Sequence, residues 1–176
     1  NILLTNIRKE VDRLNELHIN LLKKSGVQLI NGWASFSGPN SVIVSESKNG
    51  KAIHNISGNK ILIAVGGQPL IPNIDGKNLG WVSDDMFSLS SYPEKIVIVG
   101  SGYIACEFSC ILNRLGIQVI HLVRGDRLLR NFDRDMSLSL QEDMQENGIE
   151  LRFSESVTKI SGNIGKLKVS TNKSDC

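Results

Sequence analysis

The chain has 176 residues, 40% of them hydrophobic and 22% charged, with a formal net charge of +2. That is an ordinary globular mix, long enough for one good core or two small ones. It gives no charge-based case for a nucleic-acid or anionic-membrane binder, and no apolar run approaches bilayer-spanning length.

Taken in chain order, residues 6–24 are predicted to form an amphipathic helix. Ile7, Val11, Leu14, His18, Leu21 and Leu22 share one face, expected to pack on a core. Thr5 is the expected N-cap, and Gly26 lies just past the end. Short β-branched runs follow at 27–30, 33–36, 42–44 and 53–56. They are divided by Asn31-Gly32, Gly38-Pro39-Asn40, Asn49-Gly50 and Gly58-Asn59. The run 60–65, KILIAV, is more hydrophobic and reads as a central strand. Gly66-Gly67 and Pro69 end it, and Pro69 and Pro72 hold an extended crossing that marks a candidate domain boundary. Ser83-Asp84-Asp85 is suited to cap a short helical turn.

The next stretch organises the rest. Residues 95–99, KIVIV, read as a strand that runs directly into Gly100-Ser101-Gly102. Ile104, Phe108, Ile111, Leu112 and Leu115 then recur at helical spacing, Gly116 stops the helix, and 117–123 reads as a second strand. This is the context that gives a G-x-G-x-x-A turn its meaning. Gly100 allows a tight exit from the strand, and Gly102 lets a pyrophosphate approach the backbone. Ala105 lets the helix pack close to the sheet. The pyrophosphate would sit on the helix N-terminus, where free N–H groups and the dipole favour anions. An NAD site needs an acidic residue after the second strand. Here Val123 is followed by Arg124, with Arg127, Arg130 and Arg134 close behind. Planar guanidinium groups suit a 2′-phosphate, so the pattern points to NADPH.

Asp133 is the expected N-cap of a third helix carrying Met136, Leu140 and Met144, closed by Asn147-Gly148. A third strand at 149–153 and strands at 157–160 and 167–169 follow, with glycine turns at Gly162 and Gly165. The fold class is α/β: a Rossmann-like βαβ domain with a parallel sheet and an antiparallel meander, joined to a partial second domain. Three cysteines, Cys106, Cys110 and Cys176, argue against a disulfide framework. With no secretory signal at the start, they point to a reducing, cytoplasmic setting. Cys106 and Cys110, four apart, read as small apolar core side chains, because no His or Cys cluster accompanies them as metal ligands. His121, inside the second strand, reads as a satisfied core residue.

The segments RLNELHINLLKKSGVQLINGWASF (13–36), ILIAVGGQPLIPNI (61–74), SDDMFSL (83–89), VGSGYIACEF (99–108) and VRGDRLLRNFD (123–133) together resemble the pyridine nucleotide–disulfide oxidoreductases. These are flavoproteins, and the chain looks most like their glutathione-reducing branch. The resemblance implies FAD and NADPH as cofactors. Gly100, Gly102 and Ala105 would form the NADPH turn, and Arg124 and Arg130 would clamp the 2′-phosphate. Tyr103 would cover the nicotinamide pocket, Ile104 would pack on its nicotinamide side, and Glu107 would lie near the carboxamide. Ala34, Val65 and Gly66 would touch FAD; Val65 departs from the family's threonine there.

It further implies three segments: 1–65 from the FAD domain, 66–92 as the crossing, and 93–176 as the NADPH domain, cut short at its end. No catalytic residue is expected in this chain, since the C-x-x-x-x-C redox pair, the first glycine fingerprint and the acid–base histidine have no counterpart in it. The expectation is therefore a central piece, inactive by itself, of an enzyme reducing glutathione disulfide and dimerising through a further domain. The alternatives are a trypanothione-reductase-like or lipoamide-dehydrogenase-like parent, or a non-catalytic NADP(H)-binding module.

Overall fold

The computed structural model describes residues 2–176. Its internal contacts divide the chain into two units, Asn6–Gln68 and Pro69–Cys176, the latter with the first few residues.

Helix α1 spans Ile2–Lys24, and from Asn6 on it belongs to the first unit. It starts before the expected N-cap, so Thr5 lies inside it. Leu3 and Leu4 favour helix, and Leu4 is buried, which outweighs the capping preference of a threonine. Gly26 ends it as expected, at φ +73°. The N–H of Gly26 bonds to Lys23 O and that of Val27 to Leu22 O, each at 3.1 Å, so the last carbonyls are satisfied. The expected packing of the apolar face is not found. Val11, Leu14, Leu21 and Leu22 are 38–53% exposed, because none of the described residues covers them.

Strands β1 (Trp33–Gly38), β2 (Ser41–Ser45) and β3 (Ala52–Ser57) form an antiparallel meander in that order. Ala34 pairs with Val44, and Val44 with His54. The turns fall at the predicted Gly-Pro-Asn and Asn-Gly sites. Gly58 N–H bonds to Asn40 O, and Gly50 N–H to Ser47 O. Two predicted strands are absent. Residues 27–30 and 60–65 join no ladder. An extended run becomes a strand only where a neighbour supplies the other half of its hydrogen bonds, and none of the described residues does so. Leu62 and Val65 of the KILIAV run are 90% and 87% exposed.

The second unit opens with two short 3-10 turns, Lys77–Leu79 and Ser83–Phe87. The Asp85 carboxylate accepts from Val82 N–H at 2.8 Å, the capping role expected of that acidic pair. Strand β4 (Lys95–Val99), helix α2 (Tyr103–Arg114), strand β5 (Gln118–Val123), helix α3 (Arg134–Glu146) and strand β6 (Glu150–Phe153) follow. The three strands form a parallel sheet in the order β4-β5-β6, with Val99 beside Leu122 and Val123 beside Phe153. Strands β7 (Val157–Asn163) and β8 (Lys166–Thr171) make an antiparallel ribbon.

The alternation of β5 assembles the layers. Val119 and Val123 pack with Cys106 and Leu112 of α2 and Met144 of α3. Ile120 and Leu122 point the other way, packing with Val169 of β8 and with Val97 and Val157. The central strand β5 is therefore buried on both faces, as its near-continuous apolar sequence requires. Each such side chain contributes roughly 1.5–3 kcal/mol by leaving water. Both helices close on glycine as α1 does: Ile117 N–H bonds to Leu112 O, and Ile149 N–H to Met144 O. Asp133 caps α3, its carboxylate accepting from the N–H groups of Asp135 and Met136.

Candidate functional site

Gly100 leaves β4 at φ +143°, and a β-carbon placed there would lie 3.5 Å from that of Ala105. Its N–H bonds to Leu122 O at 3.0 Å, which keeps the turn in register with β5. Gly102 is the N-cap of α2 and offers no side-chain cap; a β-carbon there would meet nothing within 4 Å. The backbone can thus be approached closely at that point. Among the described residues, no acceptor takes the N–H groups of Gly102, Tyr103, Ile104 and Ala105. The orphan donors of the first helical turn, with the helix dipole behind them, suit an anion. Tyr103 and Ile104 are 59% and 43% exposed on this first turn, and Glu107, one turn on, is exposed.

The loop after β5 lies against this turn. Leu129 N–H bonds to Ser101 O at 2.7 Å, and Leu129 takes a left-handed φ of +47° to do so. Leu128 plugs the loop into the core at 0% exposure. Its two backbone groups are satisfied by side chains of α3. The Gln141 amide oxygen accepts its N–H at 3.0 Å, and the Ser137 hydroxyl donates to its carbonyl at 2.6 Å. Gly125 O accepts from Ser154 N–H at 2.7 Å, fixing the other end.

A shallow recess of about 430 Å³ opens on the loop, lined by Asp126, Arg127, Arg130, Arg134 and Leu138. Arg127 donates to the Arg130 carbonyl at 2.8 Å. The Arg130 guanidinium folds over Gly125, in the space a side chain there would fill, and lies 3.9 Å from the Asp126 carboxylate. At that distance and exposure the pair contributes little, so Arg130 is available to an anion. Arg124 is exposed but does not line the recess. The structure therefore groups Arg130 with Arg127 and Arg134 rather than with Arg124 alone.

Ala34, Val65 and Gly66 lie in the other unit. Ala34 is an exposed residue of β1; Val65 and Gly66 sit on the segment that joins no ladder, Gly66 at φ +68° with open space around its α-carbon. Cys106 belongs to the helix–sheet core, and burial with the neighbouring Cys110 thiol pushes its pKa up to about 11. Burial raises Cys110 as well. Both are free thiols, and no cluster of metal-ligating side chains occurs among the described residues. No described helix is long and apolar enough to cross a membrane. Sequence reasoning missed Ser137 and Gln141, whose polarity on the buried side of α3 was the available signal, and it missed what His121 and Ser109 bond to.

The model of the family described as pyridine nucleotide-disulphide oxidoreductase matches residues 2–175. The chain is 41% identical over 172 residues to a glutathione reductase of a Nostoc species, covering 98% of this chain and 36% of that protein. It is 37% identical over 166 residues to a glutathione reductase of Burkholderia cepacia, covering 94% of this chain and 35% of that one. It thus spans about a third of the length of these curated relatives. Among solved structures it resembles RclA, an HOCl-induced flavoprotein disulfide reductase from Escherichia coli. The TM-score is 0.81 at 24% identity, over 97% of this chain and 39% of that one. It also resembles an engineered water-forming NADPH oxidase bound to NADPH, with a TM-score of 0.75 at 22% identity over 89% and 37% of the two chains. At those identities the structural likeness concerns the fold.

Proposed function

The chain belongs to the pyridine nucleotide-disulphide oxidoreductase family, and from that premise we propose that it is the NADPH-binding portion of an FAD-dependent glutathione-disulfide reductase. The observation that carries the reading is the bond from Leu129 N–H to Ser101 O, which seats an arginine loop directly against the glycine turn. Two anion sites, one for a pyrophosphate and one for a 2′-phosphate, are then held in one rigid arrangement.

In this proposal Gly100 and Gly102 admit the pyrophosphate, and the free N–H groups of the first turn of α2 bind it. Arg124 and Arg130, joined by Arg127, bind the 2′-phosphate through charge-assisted hydrogen bonds. Ala105 lets α2 approach the sheet. Tyr103 and Ile104 shield the nicotinamide, and Glu107 orients its carboxamide. Residues 1–65 would contribute one wall of a flavin site through Ala34 and Val65, 66–92 the crossing, with Gly66 at its start also against the flavin, and 93–176 the NADPH domain. Val65 and Gly66 fit such a wall in one respect: their segment offers exposed, unpaired backbone. When bound, the flavin would supply the hydride-accepting chemistry. This chain's own residues bind, orient and exclude water; none of them is a redox thiol. A dimeric parent with glutathione disulfide as substrate follows from the same reading.

The experiment is a turnover assay of the natural gene product with NADPH and glutathione disulfide. NADPH oxidation that depends on the disulfide is expected. A protein that binds NADPH but never oxidises it with this disulfide would overturn the substrate assignment.

A further inference from the structure

His121 and Ser109 are completely buried at 0% exposure, yet neither belongs to a charged cluster. The imidazole Nε2 lies 2.7 Å from Gly100 O, and Nδ1 lies 3.0 Å from the Ser109 hydroxyl oxygen. A carbonyl oxygen carries no proton, so the Nε2 N–H donates to Gly100. Nδ1 then accepts, and the Ser109 hydroxyl donates to it. Burial lowers the pKa of the ring and keeps it neutral, in agreement with this single tautomer.

We propose that His121 and Ser109 are positioning residues that set the aim of the phosphate-binding turn. The inference rests on the NADPH site proposed above and adds what orients it. The peptide joining Gly100 to Ser101 is trans, as are all the peptide bonds described. In a planar trans peptide the C=O and N–H point in opposite directions. Pinning the Gly100 carbonyl to a ring beneath the turn directs the Ser101 N–H away from the core, toward the open side. The Ser101 carbonyl is in turn taken by Leu129 N–H, which fixes the next peptide plane. Both planes of the glycine turn are thus held from outside it, one by the arginine loop and one by this histidine. Ser109, one helical turn and a half along α2, keeps the ring in the only tautomer that can do so. An aliphatic residue at 121 would fill the space and leave the carbonyl without its partner.

The test compares His121→Gln with His121→Asn in the natural gene product. A glutamine amide reaches the place of Nε2 and keeps a donor on Gly100; an asparagine amide reaches only the place of Nδ1. Binding is measured for NADPH, which has the pyrophosphate, and for adenosine 2′-monophosphate, which engages the arginine loop without it. NADPH should bind about tenfold more weakly to the Asn variant and within about twofold of wild type to the Gln variant. Adenosine 2′-monophosphate should bind all three alike. Equal NADPH affinity for Asn and wild type, equal losses for Asn and Gln, or a parallel loss of both ligands would each overturn the proposal. If the Asn variant does not fold, Ser109→Ala decides: NADPH binding should weaken about two- to threefold with adenosine 2′-monophosphate unaffected, and no change would refute the coupling. A wild type that binds neither ligand defeats the NADPH reading itself, which sets that failure apart from the histidine's.

Discussion

Replacing Gln141 by leucine tests whether the arginine loop is held by polar side chains of α3. The side chains are close in size, so the apolar packing around Leu128 and Met144 survives. What goes is the acceptor 3.0 Å from Leu128 N–H. Leu128 is 0% exposed, so water does not replace it. A buried donor left without a partner costs about 1–3 kcal/mol, and about 2 kcal/mol is expected here. Ser137→Ala removes the bond to the Leu128 carbonyl and should cost about 1 kcal/mol, since an orphaned carbonyl is better tolerated than an orphaned N–H. The two act on one residue, so the double variant should fall short of their sum. The assay is urea unfolding of the natural gene product, with NADPH binding measured in parallel. Affinity should fall several-fold, because Arg127 and Arg130 flank the plugged leucine. A Gln141→Leu variant within about 0.5 kcal/mol of wild type would show that the bond does not hold the loop.

Two further predictions concern the same unit. At Gly76, φ is +76° and an added β-carbon would strike Ile160 O, a backbone atom of β7. Gly76→Ala should therefore lower stability by more than about 2 kcal/mol in the same unfolding assay, whereas a neutral result would deny that contact. The Cys106 pKa is raised above its unfolded value, to about 11, by burial and the Cys110 thiol. Its neutral form stabilises the fold fully below pH 9, and that contribution is lost as pH rises through about 11, because only the unfolded thiol ionises readily in between. Alkylation of native Cys106 should accordingly be slow at neutral pH, and Cys106→Ala should flatten the alkaline loss of stability. Rapid labelling at neutral pH in the native state would contradict this.

The second unit was largely legible because its signals are local and agree. The apolar runs of β4 and β5, the helical spacing of α2, the stops at Gly116 and Gly148 and the Asp133 cap each point to the same elements. The KILIAV run shows where that reasoning stops. Its composition is that of a central strand, but a strand is a property of a pair, and no described residue pairs with it. The α1 stripe fails similarly: amphipathic spacing says which face can be buried, not what buries it. At the site, the glycines and arginines were readable because their spacing carries their chemistry. The Ser137–Gln141 clamp and the His121–Ser109 pair were not. Their partners are backbone groups as many as 21 residues away, which no periodicity reveals.

The central claim is that the arginine loop reads a 2′-phosphate beside the glycine turn. The most direct measurement is the affinity of the natural gene product for NADPH and for NADH, with Arg130→Gln as the third arm. One or two charge-assisted hydrogen bonds predict that NADPH binds roughly 10–100-fold more tightly. Arg130→Gln should remove most of that ratio by weakening NADPH alone. NADH bound as tightly as NADPH, or an Arg130→Gln variant with the ratio intact, would contradict the account.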